Sequence, residues 1–463
     1  MSSWQFDVSA SSGRNKVDYS VNNSLNMDMG ANSPTEFKPG GYEFGHTVFN
    51  ADAANTFGKL SLGLGTEYRL DNFVALAGDE ASYYGGGVQS FPGIQPQNAV
   101  NESRSNIGFY GDAEYDVTDD LLVGAAARYE NYNDFGTSIT WKTTGRYKMM
   151  DDNLSVRGSV STGFRAPSLH QMYMSNIQTL LSGSTISNQG TYNNESDVVA
   201  SLGVDKLKEE NSFNMTFGFA FNMQGLYTSF DYYDISVDDR IVYSSSIASS
   251  DATTQVGQIL AAADITSLKF FTNAIDTKTS GMDIVVSYSG MNLGPGTMDI
   301  NLAANVNKTE IVGAIATPAP ITAAGVDLFD RKEQSRIETA RPAQKATIGL
   351  TYNMGGLSIA VNNTRFGEVT WRHAAGDASL DYDDATDQTF SAKMLTDLNL
   401  NYQINEMLGL SLVVNNLGDV YPDKINTKGD FEADLGGRFE YPWEVNQFGF
   451  TGMTILSGLT VRF

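Results

Sequence analysis

Cysteine is absent from this 463-residue chain, and histidine occurs only at His46, His170 and His373. Disulfide frameworks, thiolate nucleophiles and Cys/His zinc sites are thereby excluded, and no metal or cofactor site is expected. No run of about 18 consecutive apolar residues occurs, so no helix encoded here is long and greasy enough to cross a bilayer. Proline is scarce, 11 residues against 45 glycines, and charged residues make up only 18%. That composition is neither a Pro-rich linker nor a disordered polyelectrolyte. Basic residues are outnumbered 30 to 54, giving a net charge of −24; such a field repels phosphate backbones, and nucleic acid is not expected as a partner. The opening Met1-Ser2-Ser3-Trp4-Gln5-Phe6-Asp7 has no basic or apolar segment of the kind a signal peptide carries. Neither a Gly-x-x-x-x-Gly-Lys loop nor a Gly-x-Ser-x-Gly elbow is present, and the scattered carboxylates pick out no catalytic pair, so the chain is not expected to be an enzyme.

What is present is a period of two. Leu398, Leu400, Tyr402 and Ile404 alternate with Asp397, Asn399, Asn401 and Gln403, which only a strand with two dissimilar faces explains. Phe213 to Phe221 and Met298 to Val306 repeat the pattern, as do Trp4/Phe6/Val8, Val17/Tyr19/Val21 and many further segments. Length alone would allow about three domains. The unbroken alternation instead makes residues 1–463 one all-β unit.

The connections supply a second periodicity. Short ones are expected at 11–14, 55–58, 117–120, 150–153, 223–225, 289–296, 354–356 and 405–407. Long ones fall between them, at 25–41, 78–103, 165–208, 244–267, 312–344, 372–391 and 418–446, with only the turn at 133–137 breaking the rule. Tight turns on one rim and long loops on the other are the layout of a transmembrane antiparallel barrel, short turns facing the periplasm and long loops the exterior. One alternate set is rich in Leu, Phe, Met and Tyr, the other carries Asp7, Asp18, Glu67, Arg128 and Arg157, which suits lipid outside and a polar lumen. A soluble sandwich is the competing arrangement. The count is about 17 strands, starting at the loop rim. Single-chain bacterial barrels have an even number, so an N-terminal part of the barrel is expected to precede this sequence.

Four segments then carry a family resemblance. Gly163-Phe164-Arg165-Ala166-Pro167-Ser168 with Leu207-Lys208-Glu209-Glu210-Asn211-Ser212 resembles the strand-end and loop-return pair of TonB-dependent outer-membrane receptors. The run from Phe270 to Asp283, ending Gly281-Met282-Asp283, resembles an amphipathic strand of that family; Val414-Asn415-Asn416-Leu417-Gly418-Asp419-Val420-Tyr421 resembles its penultimate-strand motif, and Phe463 its C-terminal aromatic. The resemblance implies a barrel of about 22 strands around an N-terminal plug, with this chain holding the C-terminal barrel portion and neither plug nor TonB box. It further implies the outer membrane of a Gram-negative bacterium as location, and uptake of a scarce large nutrient: a ferric siderophore, a corrinoid or a glycan. The implied partners are the lipid bilayer and lipopolysaccharide, the missing plug domain, the TonB complex through the missing N-terminal region, the nutrient, and the barrel assembly machinery through Phe463. A passive porin is the alternative, and a secreted β-rich adhesin a third.

Candidate residues follow from position. Arg165 would set a guanidinium at the loop rim, although Pro167 equally reads as a strand terminator. The loop rings Tyr83, Tyr84, Tyr173, Trp371 and Trp443, with His170 and His373 among them, are candidates for ligand stacking, or else for loop packing. Arg128, Arg157, Asp231, Asp283, Asp397 and Arg462 are expected to face the lumen and the plug. Residues 251–266, with Val256, Ile259, Leu260 and Ala263 at helical spacing, predict a short loop helix capped by Asp251.

Overall fold

In a computed structural model, residues 3–182, 185–263, 265–374, 387–426 and 435–463 are described. Sixteen strands form one antiparallel sheet, each paired with its neighbours in sequence among the sheet strands. They are β1 (Gln5–Asn22), β2 (Glu36–Phe57), β3 (Leu60–Leu76), β4 (Val100–Asp116), β5 (Leu121–Tyr132), β6 (Gly136–Met149), β7 (Leu154–Arg165), β8 (Glu210–Met223), β9 (Leu226–Tyr243), β10 (Phe271–Leu293), β11 (Gly296–Val312), β12 (Gln344–Met354), β13 (Leu357–Phe366), β14 (Lys393–Gln403), β15 (Leu408–Asn415) and β16 (Thr454–Val461). Short turns and long loops alternate as expected, with the β5–β6 connection short but on the long-loop rim. This is the wall of a transmembrane β-barrel. Among the described residues β1 and β16 each pair along one edge only.

The count is 16 because the expected turn at 11–14 does not exist: β1 pairs with β2 without interruption from Gln5 to Tyr19. The two apolar runs on this strand are out of phase. Phe6 and Val8 lie on the outer face, 75% and 81% exposed, and the same face continues upward as Arg14 and Lys16, paired with Glu43 and Asp18. Val17 and Tyr19 lie on the opposite face, where Tyr19 meets Tyr42 at 6.2 Å and Phe91 at 4.7 Å between ring centroids. A strand that leaves lipid for water must turn its polar face outward, and the alternation flips without any turn. With 16 strands both ends of the sheet lie on the short-turn rim, so the parity argument for a preceding piece loses its footing.

The outer face carries the exposed large apolar side chains, among them Phe49, Leu64, Tyr68, Ile107, Phe109, Tyr129, Trp141, Phe213, Met215, Phe217 and Leu410. On β3 this stripe runs from Leu60 to Leu70. At about 3.3 Å per residue and a tilt of about 40°, it spans about 25 Å, the height of a barrel's hydrophobic band.

Hydrophobic cores form among the loops and draw in wall residues near the loop rim, such as Phe73, Val242 and Ile275. One gathers Val199 and Leu202 from loop 166–209, Ile247, Val256 and Leu260 from loop 244–270, and Ile321, Leu328 and Phe329 from loop 313–343. A second gathers Ala340, Val369, Trp371, Phe390, Ile425 and Val445 from the last three long loops. The predicted helix is present as Gln255–Ala262 with Val256 and Leu260 buried, but its N-cap is Thr254, which accepts from Gly257 N. Asp251 instead accepts from Thr253, one residue before the cap.

Candidate functional site

The inner wall solves a packing problem before it can meet any ligand. Charged side chains on adjacent strands would crowd, and glycine makes room at four places. Gly218 on β8 sits between Arg157 on β7 and Asp231 on β9 in register. Across that gap Arg157 donates from Nη2 to both Asp231 oxygens at 2.7 and 2.6 Å. Gly108 likewise lets Arg128 on β5 reach Glu67 on β3 at 3.3 Å, and Arg128 also holds Glu130. Over Gly65, Tyr110 donates to Asp52. Past Gly281, Asn305 donates to Tyr233 at 3.1 Å and to Asp283 at 2.7 Å. A Cβ at any of these glycines would come within 2.2 to 3.0 Å of the bridging atoms.

The lumen candidates therefore divide. Arg128, Arg157, Asp231 and Asp283 are engaged in these wall bridges. Asp397 accepts the backbone amide of Asn416 at 2.7 Å, closing the end of β15. Arg462 lies just past β16, its backbone amide bonded to Met407 O, and Phe463 is fully exposed.

Arg165 forks onto Glu210, Nε at 2.7 Å and Nη2 at 2.5 Å, and Glu210 also accepts Ile241 N at 2.7 Å. Loop 166–209 is thus clasped at its base by the two motifs that the sequence pairs, and β9 is tied to the same carboxylate. Bidentate guanidinium–carboxylate geometry is among the stronger polar contacts.

The rings sit differently from one another. Tyr84 is half exposed beside Tyr83 on the short helix Glu80–Tyr83. Tyr173 packs against Phe73, Leu169 and Met172. His170, on the helix Leu169–Tyr173, lies 4.2 Å from Phe73 and 5.5 Å from Phe44; burial holds its pKa below the usual imidazole value. Trp371 and His373 are buried at 6% exposure each, in edge contact at 5.7 Å. Trp371 Nε1 donates to Glu444 at 2.6 Å, and Arg336 pairs with the same carboxylate and with Glu333. Trp443 stacks on Phe439 at 5.9 Å.

Sequence reasoning did not single out Glu444, Arg104 or Asp71. Arg104 is buried, donating to Asp134 at 2.6 Å, to Pro167 O at 2.6 Å and to Met172 Sδ at 3.1 Å. It fastens helix Leu169–Tyr173 to the inner wall. Its inward place in the alternation of β4 is the one signal that could have found it. Glu444 had none.

The sequence profile described as "TonB dependent receptor-like, beta-barrel" matches residues 2–417. The chain belongs to that family. No curated protein matches it. Among solved structures it resembles the siderophore receptor PirA from Acinetobacter baumannii, with TM-score 0.61 at 15% identity, covering 99% of this chain and 60% of that one. A ferric enterobactin receptor PfeA mutant from Pseudomonas aeruginosa gives TM-score 0.62 at 13% identity over 99% and 59%. The copper transporter OprC gives 0.57 at 15% over 98% and 62%. At these identities the likeness concerns the fold, and the chain spans about 60% of the length of the first of these structures.

Proposed function

We propose that this chain is the barrel portion of an outer-membrane receptor that takes up a scarce, large nutrient, with a plug domain in its lumen and TonB supplying the energy. The observation that carries this reading is the loop rim. Loops that merely border an open pore need no cores of their own, whereas here five long loops bury two of them, with loop 166–209 clasped at its base by Arg165–Glu210 and two further loops joined by Arg336–Glu444. A rigid, shaped mouth is what capture of a particular large molecule requires. Siderophore receptors and a copper transporter share the fold, which favours a transporter over an enzyme. In this reading residues 1–463 form the barrel domain. The bilayer and lipopolysaccharide contact its outer face, and Phe463 is offered to the barrel assembly machinery.

The test is uptake of labelled nutrients by cells expressing the complete gene, with and without a protonophore. Collapse of the gradient should abolish accumulation. Accumulation that only equilibrates with the medium, and is unchanged by the protonophore, would establish the porin alternative instead.

A further inference from the structure

Near the loop rim, the inner wall and helix Leu169–Tyr173 enclose a pocket of about 260 Å³, bounded by Phe44, Arg69, Asp71, Arg104, Tyr132 and His170. Its electrostatics are balanced. Arg69 spends Nε on Asp71 Oδ1 at 2.9 Å, and Arg104 is matched by Asp134. Arg69 remains 43% exposed at its side chain, and its terminal nitrogens make no other hydrogen bond among the described residues, nor does the second oxygen of Asp71. Strong donors and a strong acceptor therefore stand side by side, in a lining that also holds the rings of Phe44 and His170, 5.5 Å apart between centroids.

An anion brings acceptors only, and would meet Asp71; a cation brings donors only, and would meet Arg69. A polyol brings both on every hydroxyl, and the C–H face of a pyranose is apolar enough to lie on a ring. The net charge of −24 on the whole chain adds a long-range penalty against polyanionic cargo. The volume is below the range that encloses a drug-sized ligand, so one terminal ring enters and the rest of a larger molecule stays outside.

From this we infer that the pocket is a subsite for one ring of a neutral saccharide, which assigns the cargo of the proposed transporter to the glycan class and rests on that reading of the chain. The probe series is methyl glucoside, glucuronate and glucosamine, one ring in neutral, anionic and cationic form, with 2,3-dihydroxybenzoate as a planar anion. Saturation-transfer NMR on the full chain refolded in detergent should show transfer to the ring protons of the glucoside, with both charged analogues at least tenfold weaker. Arg69→Gln and Asp71→Asn should each weaken the glucoside at least tenfold, while Arg14→Gln on the outer face changes nothing. Circular dichroism confirms folding. Should either inner variant not refold, Phe44→Leu removes the stacking ring with its bulk nearly kept, and must cause the same loss.

Glucuronate or dihydroxybenzoate binding more tightly than the glucoside overturns the assignment, as does glucoside binding that ignores all three inner substitutions. Failure of the transport reading would look different. Glucoside binding by the wild-type chain beside protonophore-insensitive glycan entry in cells would leave the subsite standing and remove energised uptake. Energised uptake of a ferric chelate with no glycoside binding would do the reverse.

Discussion

Gly218→Ala tests whether the glycine gaps hold the wall together. The added Cβ would lie 2.2 Å from Asp231 Oδ1 and 2.6 Å from Phe230 O. The carboxylate can rotate aside, at the expense of its fork with Arg157. That pair is 48% and 32% exposed, so its loss costs at most about 1 kcal/mol. The carbonyl cannot move without opening the β8–β9 ladder, and overpacking of this kind costs about 1–3 kcal/mol. Stiffening of the unfolded chain returns about 0.4–1 kcal/mol. The net expectation is a loss of about 2 kcal/mol. Gly145→Ala is the matched control: nothing lies within 4 Å of its Cβ, so it should gain about 0.4–1 kcal/mol. Urea unfolding of the chain refolded into lipid vesicles should separate the two variants by about 2.5 kcal/mol, close to two powers of ten in the folding equilibrium. Indistinguishable midpoints would refute the gap argument. So would an Arg157→Gln penalty of the same size in wild-type and Gly218→Ala backgrounds, since the gap is what permits the pair.

Further outcomes follow from other contacts. Glu210→Gln removes the charge that Arg165 and Ile241 N share, and should destabilise by about 1.5–3 kcal/mol; faster hydrogen exchange at the base of loop 166–209 is the readout, and unchanged protection there counts against the clasp. Glu444→Gln should loosen helix Arg331–Glu338 and alter Trp371 fluorescence, because both lean on that carboxylate; an unaltered emission spectrum argues otherwise. Burial lowers the His170 pKa, so the helix it anchors is fully stable above about pH 6.5 and weakens as pH falls from there through the lower folded value. The His170 Cε1 proton should titrate with a midpoint under about 6.5, and a midpoint at or above that value removes the basis for acid loosening. Burial opposes ionisation of Asp423, yet hydrogen bonds from Lys393 and Ser391 hold its pKa below the usual carboxylate value. The contact between loop 416–453 and β14 should therefore persist until pH falls below about 4, as followed by hydrogen exchange of the Ser391 amide, which donates to Asp423; loss of its protection well above pH 4 would count against the ionised contact.

Much of this architecture was legible because a strand's period is a local property. Each residue pair i, i+2 reports one face, and the contrast between lipid and lumen is strong enough to read through the whole sheet. The same locality explains the one strand too many. On β1 the outer face is Phe6 and Val8 below and Arg14 and Lys16 above, while Val17 and Tyr19 turn inward. A change of phase in the pattern has two physical causes, a chain reversal or a change of surroundings along an unbroken strand, and periodicity does not separate them. The sequence of 11–14, Ser-Ser-Gly-Arg, offers good turn residues, which tips the reading toward reversal. What decides the matter is the partner: β2 runs alongside β1 for its full length, and flips with it, from Phe49 outside to Tyr42 and Phe44 inside.

The loop rim was less legible for a different reason. Arg165 and Glu210 could be read as two ends of one motif, since both flank the same loop. Arg336 and Glu444 are 108 residues apart, and no local pattern marks them as partners. Trp371 and His373, aromatic and in a loop, have the composition of a ligand platform, yet lie under the neighbouring loops with the indole N–H satisfied by Glu444. Exposure is set by what other loops do, which makes it a tertiary quantity that no single segment encodes. Asp71 and Arg69 show the converse. Read alone, they are one more ion pair on a charged inner face; set under Phe44 and the helix at 169–173, they become the polar floor of a pocket. The proposed subsite thus lies where a loop folds back onto the wall. On that proposal, changes in loop 166–209 and at Phe44, Arg69 and Asp71 should alter what is bound, while changes at the glycine gaps of the wall should alter how well the barrel stands.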